Sequence, residues 1–334
     1  MRAPSATPPD GRDPAPAHRG RWVQAGRVLL GVLLAVLVAE GAVRAAADRL
    51  PDPQRWSTPE TQYKVDQIAG RAGVRTVAVG SSVVDVALDP EALGPDAYNA
   101  ALGAASIGMV DTFTRQVVVP RLDPEVVVVG VSSRELNRNA PEQRRIEADF
   151  LDAPAVRELL ATESTLDTAE RVAGEVSALV RYRSVLRDPE SWLDPQPAWD
   201  DTVTSADGLY LGFLEESYEA GPAVLRRLRR GPLHAFEVGD RQVATLRALL
   251  SDLRSQGRRV LLVATPVTRD YVDLLPGGQA DHERFTALAE RVARRAGAEF
   301  VDAGVWPERL MADPLHVNRA GVQRFSDLIA TALA

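Results

Sequence analysis

The chain has four histidines in 334 residues, and one of them stands where an acid can act on it. His18 falls in a proline-rich N-terminal stretch, and His234 and His282 occupy polar, loop-like contexts with no evident partner. His316 ends the run Asp313-Pro-Leu-His316, just ahead of a C-terminal apolar period. That spacing lets a carboxylate lie beside an imidazole within one turn of chain. There it fixes the tautomer and stabilises the imidazolium formed when the ring accepts a proton. A base of this kind needs a nucleophile, and Gly80-Ser81-Ser82 supplies a candidate directly after an apolar run. Serine is a weak nucleophile near neutral pH until a base takes its proton, and His316 can do so for Ser82. Alone, Asp-x-x-His is more often a surface turn, and a serine pair more often caps a helix. The two together point to acyl transfer.

Acyl transfer also needs donors aimed at the developing oxyanion. Asn99-Ala-Ala-Leu-Gly103 closes a second apolar run with a glycine, and Gly130-Val-Ser132-Ser133 closes a third with hydroxyl side chains. The expected oxyanion hole is therefore the Ser82 N–H, the Gly103 N–H and Ser132, with Ser133 and Arg134 placed to touch substrate.

The elements that must position these residues follow from periodicity. Val74–Val79, Ala97–Leu102, Val126–Val131, Val260–Ala264 and Phe300-Val301 read as short strands. Val126–Val131 is apolar on both faces, as expected at the centre of a parallel sheet. Ile107, Val110, Phe113 and Val117 recur at helical spacing, as do Val243, Leu246, Leu250 and Leu253. Phe285, Leu288, Val292 and Ala296 repeat that spacing, and Val322, Phe325 and Ile329 mark the last helix. Alternating strands and helices predict a three-layer α/β/α sandwich with a mostly parallel, flavodoxin-like sheet and a site at the strand ends. Residues from about 138 to 240 interrupt the alternation. They read as one helical and irregular insertion, a lid over the site, with a helix between Ser164 and Leu186 opened by a Ser164/Asp167 cap.

In order and context these blocks resemble the SGNH (GDSL-like) hydrolase superfamily. That family carries Gly-Asp-Ser after its first strand, a glycine block after the second, Gly-x-Asn-Asp after the third and Asp-x-x-His before the last helix. The resemblance spans residues 74–132 and 242–334. It implies Ser82 as nucleophile, His316 as base, Asp313 as its orienting acid and Gly103 as an oxyanion donor. Ser81 stands where the family has Asp, and Ser132 where it has the oxyanion Asn.

The N-terminus carries an address. Residues 1–21 read as a disordered cytoplasmic tail. Residues 22–47 read as a signal anchor or signal peptide around the uncharged run Val28–Ala39, and 48–73 as a linker and lead-in helix before the domain at 74–334. Basic residues ahead of the apolar run put the rest of the chain outside the cytoplasm. The segment reads as an uncleaved anchor, with cleavage near Ala47 as the alternative. An anchor followed by such a domain resembles bacterial proteins that add or remove O-acyl groups on envelope polymers. The implied partners are an acylated carbohydrate or envelope polymer, the membrane, and a membrane-borne acyl donor.

Composition narrows the classes further. Without cysteine there is no disulfide and no thiolate chemistry. No His/carboxylate spacing suggests a metal, and triad chemistry calls for no cofactor. Residues 1–27 carry five Arg against two Asp, a balance of +3 that leaves −10 on residues 28–334 of a chain at −7 overall. An acidic body argues against nucleic acid. Basic charge is almost all arginine, and Lys64 is the sole lysine. Two other readings stay open: an SGNH-fold module that has lost catalysis and binds or scaffolds envelope glycans, and a flavodoxin-like domain holding a phosphate at the Gly80–Ser82 turn.

Overall fold

The computed structural model describes residues 17–50, 57–140, 176–183, 186 and 200–334. The described residues divide into two compact units. One holds those in Met1–Pro53 and Ser164–Pro195, the other those in Gln54–Glu163 and Gln196–Ala334.

In the first unit, helix α1 (Ala17–Ala46) is 30 residues long. Its stretch Gly26–Ala46 has a mean hydropathy of 2.1, long and apolar enough to cross a membrane. The side chains of Val28, Leu29, Leu30, Leu33, Leu34 and Leu37 are all more than half exposed, so the helix is apolar around its circumference rather than along one stripe. The helix already begins at Ala17, inside the stretch expected to be a disordered tail; residues 1–16 lie outside the described set. Near its C-terminal end, Glu40 pairs with Arg44 and accepts from the Ser177 hydroxyl and the N–H groups of Ala178 and Leu179. It thereby caps the one-turn helix at Ala178–Arg181. The Ser164/Asp167 cap lies outside the described residues.

The second unit is an α/β sandwich. Helix α2 (Ser57–Ala69) leads into β1 (Thr76–Val79), the short helix α3 (Ser82–Asp85) and β2 (Ala97–Asn99). A helical run follows: α4 (Ile107–Phe113), a π-turn (Thr114–Val118) and α5 (Val119–Leu122). Next come β3 (Val126–Val131) and a 3₁₀ turn (Ser133–Leu136). Helix α6 (Pro222–Arg230) lies within the insertion, and α7 (Asp240–Ser255) at its end precedes β4 (Arg259–Ala264). The chain ends with α8 (Arg269–Leu274), α9 (Gln279–Ala296), β5 (Glu299–Asp302) and α10 (Arg319–Leu333).

The five strands pair in parallel in the order β2-β1-β3-β4-β5. This is the flavodoxin-like sheet expected from the strand pattern, and it meets the SGNH resemblance at the level of the fold. Side chains alternate across it. Val77, Val79, Val127, Val129, Val131, Val260 and Leu262 join a core with Phe113, Leu246, Leu250, Phe285 and Val292 on one face. Ala78, Val128, Leu261 and Val263 join Val84, Tyr271, Val322, Phe325 and Ile329 on the other. Because both faces are covered by helices, the strands read as unbroken apolar runs.

The described residues of the stretch read as a single insertion fall in both units. Residues 176–183 group with α1, whereas residues 200–240 belong to the sandwich and pack Leu209, Leu228, Leu233 and Phe236 into its second core.

Candidate active site

Ser82 opens α3 at the C-terminal edge of β1, the strand end at which open α/β sheets build their sites. The approach is tight. A Cβ on Gly80 would lie 2.5 Å from the Val84 Cγ2, and one on Gly130 would lie 2.1 Å from it. Only glycine at both strand ends lets α3 settle onto the sheet. Asn99, at the end of β2, secures the other end of the turn: its Nδ2 donates to the carbonyls of Val84 at 3.0 Å and Leu88 at 2.9 Å.

The last loop brings the base. Ser82 Oγ and His316 Nε2 lie 2.9 Å apart, and His316 Nδ1 lies 2.8 Å from Asp313 Oδ2. The other carboxylate oxygen of Asp313 accepts the N–H groups of Leu315 and His316, each at 2.8 Å. With Nδ1–H donated to Asp313, Nε2 is left as the acceptor for the serine hydroxyl. Burial works against the Asp313 charge, but the neighbouring His316 ring and the hydrogen bonds from the ring and from both backbone N–H groups outweigh it. They hold the carboxyl below its ordinary value. One face of the imidazole is covered by Phe213, stacked at 4.7 Å between centroids with the planes 19° apart. The second half of the insertion thus forms a wall of the site.

The structure departs from expectation at the oxyanion donors. The Gly103 N–H is taken by Glu60, whose Oε1 accepts it at 2.7 Å. Ser132 is committed on both sides: its N–H and its hydroxyl each donate to Glu135 Oε2 at 2.7 Å, closing a capping box over the 3₁₀ turn. Ser133, expected to meet substrate, is buried and shares a 2.8 Å hydrogen bond with the Tyr271 hydroxyl. Arg134 pairs through Nε with Glu135 Oε1 at 2.9 Å. Of the three expected donors, the one whose N–H is left open by the geometry of its own helix is Ser82, at the first position of α3.

Glu135 accounts for a serine at position 81, where the resembled pattern has Asp. Its carboxylate is 1% exposed and receives the Ser81 hydroxyl at 2.8 Å as well as Ser132 and Arg134, so it ties the end of β1 to the end of β3. An Asp at position 81 would set a second carboxylate against it, which burial punishes severely. A hydroxyl donor fits.

Five residues at the site were not singled out as functional in the sequence: Glu60, Lys64, Asp85, Glu135 and Phe213. Lys64 Nζ is fully buried and donates to Asp85 Oδ1 at 2.8 Å, to the Asn99 carbonyl at 3.0 Å and to the Gly208 carbonyl. Two signals were available. Ser132-x-x-Glu135 fits a capping box, and the sole lysine sits four residues after Glu60 on a helix, where both share a face. Phe213 has no such signal. Among the described residues, no group of three or more His, Asp or Glu side chains is placed to hold a metal.

No family model matches the chain, and neither does any curated protein. Among solved structures the chain is similar to a candidate acylhydrolase from Bacteroides fragilis, at 14% identity, covering 83% of this chain and 96% of that one, with a TM-score of 0.42. It is similar to an acetylxylan esterase from Geobacillus stearothermophilus at 9% identity, covering 80% of this chain and 96% of that one, with a TM-score of 0.41. A carbohydrate acetylesterase from Sinorhizobium meliloti gives 12% identity, 78% and 98% coverage and a TM-score of 0.35. Likeness at this level leaves the functional reading to the geometry of the site.

Proposed function

We propose that this protein is a serine esterase or O-acyltransferase working through an acyl-Ser82 intermediate, with His316 as general base and acid and Asp313 as its orienting carboxylate. The continuous Ser82–His316–Asp313 chain of hydrogen bonds carries the reading. In the first half-reaction, Ser82 Oγ attacks the ester carbonyl carbon while its proton passes to His316 Nε2. The oxyanion forms beside the Ser82 N–H. The tetrahedral intermediate collapses, the C–O bond to the alcohol breaks, and His316 returns the proton to the leaving oxygen. In the second half-reaction, His316 takes a proton from water, giving a hydrolase, or from a sugar hydroxyl, giving a transferase. The incoming oxygen bonds to the acyl carbon, the bond from that carbon to Ser82 Oγ breaks, and His316 returns the proton to Oγ. Which acceptor wins depends on how well the site excludes water, and the Phe213 wall bears on that.

The substrate class is what the resemblance to envelope proteins with an anchor and such a domain implies. We place the site outside the cytoplasm, on a chain anchored by α1, acting on an acyl ester of a cell-surface polysaccharide or related envelope polymer. In the transferase form, a membrane-borne acyl donor would supply the acyl group.

The commitment of Gly103 and Ser132 to carboxyl groups supports a second reading, a glycan-binding module that has lost catalysis. Intact-mass analysis of the full-length chain in detergent after treatment with a fluorophosphonate separates the two. One adduct on wild type and on Ser81→Ala, absent from Ser82→Ala and His316→Ala, is the expected result. A folded wild type that takes no adduct leaves the binding module.

A further inference from the structure

The triad uses none of the charge buried beside it. Helix α2 presents Glu60 and Lys64 one turn apart, and α3, which Ser82 opens, ends in Asp85. Glu60 is 4% exposed, Lys64 0% and Asp85 2%. Lysine carries three N–H donors on a compact head. Here they are matched by three acceptors from three segments: the Asp85 carboxylate, the carbonyl at the end of β2 and the Gly208 carbonyl of the insertion. Arginine, with five donors in a flat fork, would not fit that set. Beside the ion pair, the Glu60 carboxyl is hydrogen-bonded to Asp85 and accepts the Gly103 N–H at 2.7 Å. A Cβ on Gly103 would come within 2.4 Å of Glu60 Oε2, so a side chain there would displace the carboxyl from its present position.

We propose that Glu60 and Lys64 are positioning residues of the acyl-transfer site, clamping the Gly103 turn and the nucleophile helix to each other through Asp85. The proposal rests on the esterase reading for its catalytic consequence, and on geometry alone for the clamp.

The clamp has a definite protonation state. Two carboxyls facing one ammonium inside the protein would leave an uncompensated negative charge, which burial disfavours. Burial and the adjacent Asp85 charge raise Glu60 well above the ordinary carboxyl range, with Lys64 and the Gly103 N–H opposing. Burial raises Asp85 too, against the pull of Lys64. The other titratable neighbours are Tyr210, which feels both carboxyls, and Tyr98 and His316, which feel Asp85. The arrangement that satisfies every group keeps the proton on Glu60: its O–H donates to Asp85, its other oxygen receives Gly103, and Asp85 keeps its charge for Lys64. A glutamine at position 60 reproduces both bonds, with the amide N–H in place of the acid O–H.

The test uses the full-length chain in detergent, with Glu60→Gln and Glu60→Ala. Amide hydrogen exchange is followed by mass spectrometry in peptides ending on either side of Gly103, and turnover with 4-nitrophenyl acetate. Expected are slow Gly103 exchange and kcat within about threefold of wild type in Glu60→Gln. Glu60→Ala should show fast exchange at Gly103 and a kcat lower by about tenfold to a hundredfold with KM little changed, the pattern of a displaced rather than an unbound site. Wild-type exchange and kcat in Glu60→Ala would overturn the clamp, and Glu60→Gln as impaired as Glu60→Ala would overturn its protonated form. A wild type without fluorophosphonate adduct defeats the esterase reading and leaves the exchange arm able to decide the clamp.

Discussion

Phe213 lies flat on the His316 imidazole, 4.7 Å away between centroids and inclined by 19°. The two residues are joined by no hydrogen bond, yet the stack decides which face of the base meets water and restrains the ring in the plane that points Nε2 at Ser82. An aromatic pair of this kind contributes about 0.5–1.5 kcal/mol beyond its buried area. Phe213→Ala should therefore lower kcat/KM by about threefold to tenfold in steady-state kinetics, with Phe213→Tyr close to wild type. Equal rates in all three would show that the ring is held by the Asp313 bond alone.

Asp313→Asn keeps the shape of the loop but removes the acceptor that selects the Nδ1–H tautomer. In triads of this geometry the loss is about 10⁴ in kcat, and the variant should still melt as a folded protein. Its stability carries a sign as well. The Asp313 carboxyl lies below its ordinary value of 3.8 in the folded chain, so its contribution is present above that value and lost as pH falls through the lower folded one. Melting temperatures of wild type and Asp313→Asn should differ most near neutral pH and converge in strong acid.

For Glu60 the linkage runs the other way. Its folded pKa is well above the ordinary 4.5, so between those two values the unfolded chain has already released a proton that the folded chain retains. Wild-type stability should fall as pH rises from about 4.5 toward the folded value. Glu60→Gln removes that slope, and a series of thermal melts from pH 5 to pH 9 checks it. A Glu60→Gln series parallel to wild type would place the retained proton elsewhere.

Lys64→Met would leave Asp85 buried with its charge unmatched and two carbonyls without a donor. Breaking a buried pair from one side costs about 3–5 kcal/mol, which denaturant unfolding of the detergent-solubilised chain should read as a lower midpoint. Restoring neutrality with Lys64→Met/Asp85→Asn should recover part of the loss. Non-recovery would show that the carbonyl contacts dominate the ion pair.

Glu135→Ala should be more damaging than either of its serine partners. It strips acceptors from Ser81, Ser132 and Arg134 at once. Each buried donor left unpaired costs about 1–3 kcal/mol. Ser81→Ala removes one donor from a carboxylate that keeps three others, and should cost about 1 kcal/mol. Unfolding midpoints of the two variants give the comparison.

What could be read from the chain alone divides along local and non-local lines. The strands were legible because burial on both faces of a parallel sheet writes an unbroken apolar run, as in Val126–Val131. The long helices were legible because one buried face writes a 3.6-residue period, as in Phe285, Leu288 and Val292. Asp313 and His316 were legible because three residues of chain suffice to bring an acid to an imidazole, and Ser82 because a glycine and a serine directly follow a strand. What the oxyanion side would look like was not. Whether the Gly103 N–H is open depends on a carboxyl 43 residues earlier on another helix, and whether Ser132 can donate depends on where the Glu135 side chain turns. Phe213 reaches His316 from an irregular segment 103 residues upstream, with no period to announce it. Hydrophobic patterning records only whether a position is buried. Which polar groups are left to share a buried space, and which of them keeps the proton, is settled by the packing of segments remote in sequence, and so only by the tertiary structure.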